Sequence, residues 1–182
     1  MSDVFVNING VAYRLSGTVS VTPVQTIPVL TPIIPVMTGA NTSGFIASAT
    51  SEYNSGGAYA SAWLAFRNTV SNQWAAIWSS ASQATPSSPQ VLRIMFPSAQ
   101  QCSQASITAR SDTGDLSPST WGVQTTVDGV NWVTQASESG KTWTGGETKT
   151  DIFQTPGSYL GVQWVCKGSG ALCQIAKAQV FG

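Results

Sequence analysis

The stretch Ser117-Pro118-Ser119-Thr120-Trp121-Gly122-Val123-Gln124-Thr125-Thr126-Val127-Asp128-Gly129-Val130-Asn131-Trp132 decides the fold class. Val123, Thr125 and Val127 alternate with Gln124 and Thr126, which is the period-2 pattern of a half-buried strand. Asp128-Gly129 then predicts a tight reversing turn, because both residue types tolerate positive φ. A second strand is expected to begin near Trp132. Strand, turn and strand in this order point to an antiparallel, all-β fold.

The same signature recurs on both sides of this hairpin. Phe45–Ala49 starts the series. In Gln90–Phe96, the residues Leu92, Ile94 and Phe96 share one face. Gln104–Arg110 and Tyr159–Val165 read as further strands. Gln174–Phe181 closes the chain with Ala176, Ala178 and Val180 on one face. Gly, Ser, Asn and Pro punctuate these runs, and Thr144-Gly145-Gly146-Glu147 reads as a turn. One helical turn is expected at Ser61–Phe66. Many short strands with turn signals between them predict a jelly-roll β-sandwich.

Residues 1–37 differ from the rest, and two parts are expected: 1–37 as a hairpin and extended arm, 38–182 as the sandwich. Val4–Ile8 and Val11–Leu15 flank Asn9-Gly10, a hairpin signal. The run from Thr22 to Val36 carries Pro23, Pro28, Pro32 and Pro35, which excludes helix and central strand. Val, Ile and Leu fill most of the intervening positions, so something must cover them. Either the arm lies along its own domain or it packs against sister chains. The expectation adopted is a homo-oligomer, a trimer by analogy with fibres.

Composition removes several functions. Only 9% of the 182 residues are charged, against about 25% in an ordinary globular domain. The net charge is zero and no Lys/Arg cluster exists, so a phosphate-gripping nucleic-acid surface is not expected. No run approaches the roughly 18 apolar residues of a spanning helix, so no membrane insertion is expected. The chain has no histidine, which removes Ser-His-Asp and Cys-His nucleophile pairs. Of three cysteines, Cys166 and Cys173 either face each other as a disulfide or sit as small buried thiols. The odd count speaks against a disulfide framework. Met1-Ser2-Asp3 lacks the basic and apolar regions of a secretion signal. A neutral, hydroxyl-rich surface without such a signal suggests synthesis in a host cytoplasm and release by lysis, hence a virion location.

Several segments, taken in order, resemble the discoidin-like (coagulation-factor type C, galactose-binding) β-sandwich. Thr126-Val127-Asp128-Gly129-Val130-Asn131-Trp132 resembles its Ser-x-Asp-Gly-x-x-Trp hairpin. Ile46–Tyr53 is similar to the opening x-Ala-Ser-Ser segment. Ala62–Asn68 through Trp74 is similar to Ala-Phe-Asp-Gly … Thr-x-Trp. Pro89–Phe96, Tyr159–Trp164 and Ile175–Gly182 resemble later strands. The resemblance covers residues 40 to 182. It implies a binding module and not an enzyme, with Trp74 and Trp132 in the core. The family's Phe-Asp-Gly is Phe66-Arg67-Asn68 here. The resemblance places a structural calcium at that aspartate in many members, and a cation cannot ligate a cation. No calcium, no other metal and no cofactor are expected, with Arg67 filling the charge role from its fork of donors.

In such sandwiches the ligand binds at loops on one end. The candidate ligand-binding residues are therefore Tyr53, Tyr59, Trp78, Arg110 and Asp112. Aromatic rings pack on the C–H faces of sugars, while polar side chains fix orientation. Trp121 and Trp164 lie on strands and are expected in the core. Trp143 either meets a ligand or caps the core after the hairpin. Asp112 and Asp115 are neighbours, but a glycosidase needs two carboxylates facing one bond, and an Asp/Gly turn explains them more simply. The expected function is adhesion: a phage tail-fibre or receptor-binding module that binds cell-surface carbohydrate. The alternative is a structural virion protein, a head-decoration or tail component, whose sandwich binds only protein.

Overall fold

The structure is a computed structural model that describes residues 4–8, 11–15, 30–53, 60–69 and 77–182. Its strands are β1 (Val4–Ile8), β2 (Val11–Leu15), β3 (Asn41–Thr42), β4 (Phe45–Ala49), β5 (Trp78–Ser79), β6 (Gln90–Thr108), β7 (Thr120–Thr126), β8 (Val133–Glu138), β9 (Thr148–Gly168), β10 (Gln174–Ile175) and β11 (Lys177–Phe181). A 3-10 helix spans Ala62–Phe66, where the helical turn was expected.

The architecture is an all-β sandwich. β6 has 19 residues and β9 has 21, against the usual 5–6 or so, because each serves both layers. In the first layer β4, the start of β6, the end of β9, β7 and β8 lie side by side, all antiparallel. In the second, β11 pairs Gln104–Thr108 of β6, which pairs Thr148–Ile152 of β9. Register shifts between Met95 and Gln100 and between Cys102 and Gln104 mark where β6 bends from one layer to the other. Gln90–Phe96 and Gln104–Thr108, expected as separate strands, are thus one continuous run.

Burial follows the alternation. Leu92, Ile94 and Phe96 point inward, while Val91, Arg93 and Met95 are half-exposed. Ile107, Ile175, Ala178 and Val180 join Trp78, Trp121 and Trp164 in one core. Each fully buried Leu, Ile or Phe contributes about 1.5–3 kcal/mol, so this core holds the two layers together. Cys102, Cys166 and Cys173 are free, buried thiols within it.

The opening hairpin departs from its expected form. β7 stops at Thr126 and β8 starts at Val133, so the connection is longer than a two-residue turn. Asp128 explains this. Its Oδ1 accepts hydrogen bonds from the Val130 and Asn131 amides at 2.9 and 2.8 Å, building an Asx-type loop. Thr126 Oγ1 accepts from the Gly129 amide at 2.9 Å, and Gly129 takes φ 78°. Val127 leaves the strand and is 66% exposed, off the buried face. Trp132 is half-buried under Arg93 and is not a core residue. Trp74 lies outside the described residues.

The described end of the arm lies along its own domain. The Ile33 amide donates to the Val180 carbonyl at 3.0 Å, and Pro32 bridges Phe181. Met37 is buried, and Ile33 and Ile34 pack on the core. Residues 31–33 thus line the domain's own edge strand β11, while the Met37 amide donates to the Phe66 carbonyl at 3.2 Å. Residues 16–29 lie outside the described residues. β1 and β2 pair in register from Val4 with Leu15 to Ile8 with Val11, as the Asn9-Gly10 signal requires; the turn itself lies outside the described residues.

Both bent strands turn their corners at one end of the sandwich. The described residues 50–53 and 60–61 and the connections 80–89, 109–119, 139–147 and 169–173 gather at the other.

Candidate functional site

The loop end is held together by a relay of buried polar groups. β6 delivers Arg110 just past its last residue, Thr108. The Arg110 side chain is 10% exposed, and its guanidinium grips the Asp112 carboxylate with two parallel bonds, Nε to Oδ1 at 3.1 Å and Nη2 to Oδ2 at 2.7 Å. This fork-on-carboxylate geometry is the strong form of a charged hydrogen bond. Nη1 donates to Oε1 of the buried Gln174 at 3.1 Å. Gln174 sits opposite Ser79 in the β10–β5 pair, and the Ser79 carbonyl accepts from the Tyr53 amide at 2.8 Å. Tyr53, Ser79, Gln174, Arg110 and Asp112 are thereby tied into one network.

Its outer members differ in exposure. The Asp112 side chain is 41% exposed and Tyr53 is 45% exposed. Asp112 offers acceptor lone pairs and Tyr53 offers a ring and a hydroxyl. The charges cancel within the pair, so the site is neutral overall. The Gly146 amide bonds the Arg110 carbonyl, and a Cβ on Gly145 would lie 2.6 Å from the Ser111 carbonyl, so the 144–147 turn clamps the loop. Beside the loop, Gly114, Asp115, Ser117, Lys141, Trp143 and Gly170 help line a depression of about 200 Å³.

Three of the expected site residues, Tyr53, Arg110 and Asp112, lie at this end. Trp78 is fully buried, and its indole nitrogen donates to the Ser51 carbonyl at 3.2 Å. A side chain with no exposed surface cannot meet a ligand from solution, so Trp78 is a core residue. Tyr59 lies outside the described residues. Gln174 and Ser79 were missed by the reading of the sequence. The available signal was a glutamine and a serine in runs that are otherwise apolar. Trp143 caps the core: it lies 5.5 Å from Trp121 and donates to the Pro118 carbonyl at 2.8 Å.

Asp112 is committed to Arg110, so it does not form a carboxylate pair with Asp115. Among the described residues no three His, Cys, Asp or Glu side chains gather to hold a metal. The Arg67 guanidinium, at the position where calcium was weighed, lies over the Trp63 ring at 5.6 Å.

No protein-family model matches this sequence, and no curated protein matches it. Solved structures do. The module CpGH89CBM32-5 of Clostridium perfringens, solved with GalNAc-β-1,3-galactose, superposes with a TM-score of 0.63 at 20% identity, over 76% of this chain and 95% of that one. The family 32 carbohydrate-binding module of C. perfringens NanJ, solved with galactose, gives 0.60 at 22%, over 76% and 93%. An F5/8 type C domain from Bacteroides fragilis gives 0.64 at 14%, over 76% and 91%. The fold is that of the discoidin-like β-sandwich. At these identities the likeness concerns the fold alone.

Proposed function

We propose that this chain is a non-catalytic carbohydrate-binding module whose loop end takes a neutral sugar, serving adhesion on a virion. The observation that carries the sugar reading is the Arg110–Asp112 pair braced by Gln174 at the same loop end as exposed Tyr53. A fixed carboxylate accepts sugar hydroxyls, and an aromatic ring at the same end packs on sugar C–H groups. The charge balance of the pair favours an uncharged ligand. The structures solved with galactose and GalNAc-β-1,3-galactose share this fold, which adds support. The adhesion setting rests on the neutral, hydroxyl-rich composition and the apolar, proline-rich arm, which we propose joins copies of the chain in a homo-oligomer.

The test is a glycan array probed with the full chain and with Asp112→Ala and Tyr53→Ala. Binding to neutral galactose-type glycans that both substitutions remove supports the reading. An empty array together with tight binding to phage particles supports a structural virion protein instead. Mass measurement of the full chain in solution tests the oligomer; a monomer overturns it.

A further inference from the structure

One cross-strand row on the outer face of the first layer runs Ser48, Arg93, Gln163, Gln124 and Thr134, one residue from each of β4, β6, β9, β7 and β8. Arg93 Nε and Nη2 both donate to Gln163 Oε1, at 3.0 and 2.8 Å. Gln163 Nε2 donates to Gln124 Oε1 at 2.6 Å, and Gln124 Nε2 to Thr134 Oγ1 at 3.3 Å. Trp132 folds back from the β7–β8 hairpin, and its ring centre lies 4.7 Å from the Arg93 guanidinium carbon.

Arg93 is therefore fixed by two hydrogen bonds and an aromatic face, yet neither partner carries a negative charge. No carboxylate pairs with it among the described residues, and its Nη1 group makes no hydrogen bond there. With Ser48, Ala49, Thr50 and Val91 it lines a cavity of about 90 Å³, in which it is the sole charged residue among the described residues. Ser48 stands directly opposite Arg93 and is exposed.

We propose that this cavity is an anion site, in which Arg93 and Ser48 bind the carboxylate of an acidic saccharide. A half-buried cation without a counter-ion is complementary to a carboxylate, and the guanidinium fork presents parallel donors to its two oxygens. Because Gln163 and Trp132 already hold the side chain in place, little further ordering is lost on binding. The cavity admits a carboxylate but not a whole sugar ring. The ring lies outside, where the half-exposed Trp132 offers an aromatic surface and the exposed Ser48 a hydroxyl. This site is separate from the loop end and does not depend on the reading given there.

The test follows the Arg93 Nε–H and Trp132 indole N–H signals of the full chain by NMR. The chain is titrated with sodium glucuronate, glucose and sodium acetate at matched ionic strength. Glucuronate is expected to shift both signals saturably, glucose not at all, and acetate to bind about tenfold more weakly or worse. Arg93→Gln abolishes the response. Ser48→Asp, at an exposed position, supplies a carboxylate to Arg93 and also abolishes it without touching the core. Asp112→Ala leaves the response intact while removing neutral-sugar binding. The proposal is overturned by equal responses to acetate and glucuronate, by a response that survives Arg93→Gln, by tighter binding of an acidic peptide, or by no saturable shift.

Discussion

The indole nitrogen of Trp121 donates a 2.9 Å hydrogen bond to Oδ2 of Asp151, and both side chains are buried between the layers. The other oxygen, Oδ1, has no partner among the described residues. Burial pushes the Asp151 carboxyl above the usual range; the Trp121 bond pulls it back and nearby Glu138 adds to the rise. The folded protein therefore holds this proton more firmly than the unfolded chain does. Asp151 thus favours folding at low pH, and that contribution is lost as pH rises from about 4 through the raised pKa. Asp151→Asn keeps an acceptor for Trp121 and cannot ionise. Its melting temperature should exceed that of the wild type by a few degrees at neutral pH, with the gap closing in acid. A gap independent of pH would show that Asp151 is not the titrating group.

Trp78 and Tyr53 lie near the same end and should separate stability from recognition. Trp78 has no exposed surface, so Trp78→Ala leaves a large cavity and should cost about 3–5 kcal/mol in denaturant unfolding. Tyr53 is 45% exposed, and Tyr53→Ala should stay within about 0.5 kcal/mol of the wild type. On the proposed reading only the Tyr53 variant loses glycan binding while fully folded.

What the sequence made legible followed from local periodicity. Leu92, Ile94 and Phe96 alternate cleanly, and they face the core. The Asn9-Gly10 and Asp128-Gly129 signals both lie between paired strands. What stayed hidden depends on side chains that act at a distance. Nothing in Asp128-Gly129 says that the carboxylate will capture two amides, lengthen the loop and turn Val127 outward. The resemblance places Trp132 in the core, but Arg93, some forty residues away, holds it on the outer face. At the loop end, Arg110 and Asp112 are close in sequence, so a loop holding both is legible there. Gln174 comes from the far end of the chain, and only the fold brings it to Arg110. The continuity of β6 was lost to Pro97, which falls at the bend between layers.

The three thiols should be unreactive in the native state. Burial pushes the Cys102 thiol up to about 12. Cys173 is raised by burial and by the adjoining Cys166 thiol. The thiolate is the reactive form, so almost none of Cys102 or Cys173 is present in that form at neutral pH, and burial shields Cys166 from a reagent in solution. A thiol-specific disulfide reagent at neutral pH should modify none of Cys102, Cys166 and Cys173 in the folded chain and all three in denaturant. Rapid labelling of a folded sample would show that the 169–173 loop opens and exposes Cys173.

Gly161 lies close against Met95 and the Ile94 carbonyl of β6. A Cβ there would lie 2.6 Å from Met95 Sδ and 2.9 Å from the Ile94 carbonyl oxygen. The thioether can swing aside, since Met95 is half-exposed. The carbonyl cannot, because it belongs to β6, which pairs with β9 at this point. Gly161→Ala should therefore cost about 1–3 kcal/mol through overpacking. Adding Met95→Ala removes the flexible obstacle and leaves the rigid one, so the double variant should recover only part of the loss. Chemical denaturation of the two single variants and the double decides between them. Full recovery would place the whole strain on the Met95 side chain, and no recovery would place it on the backbone of β6.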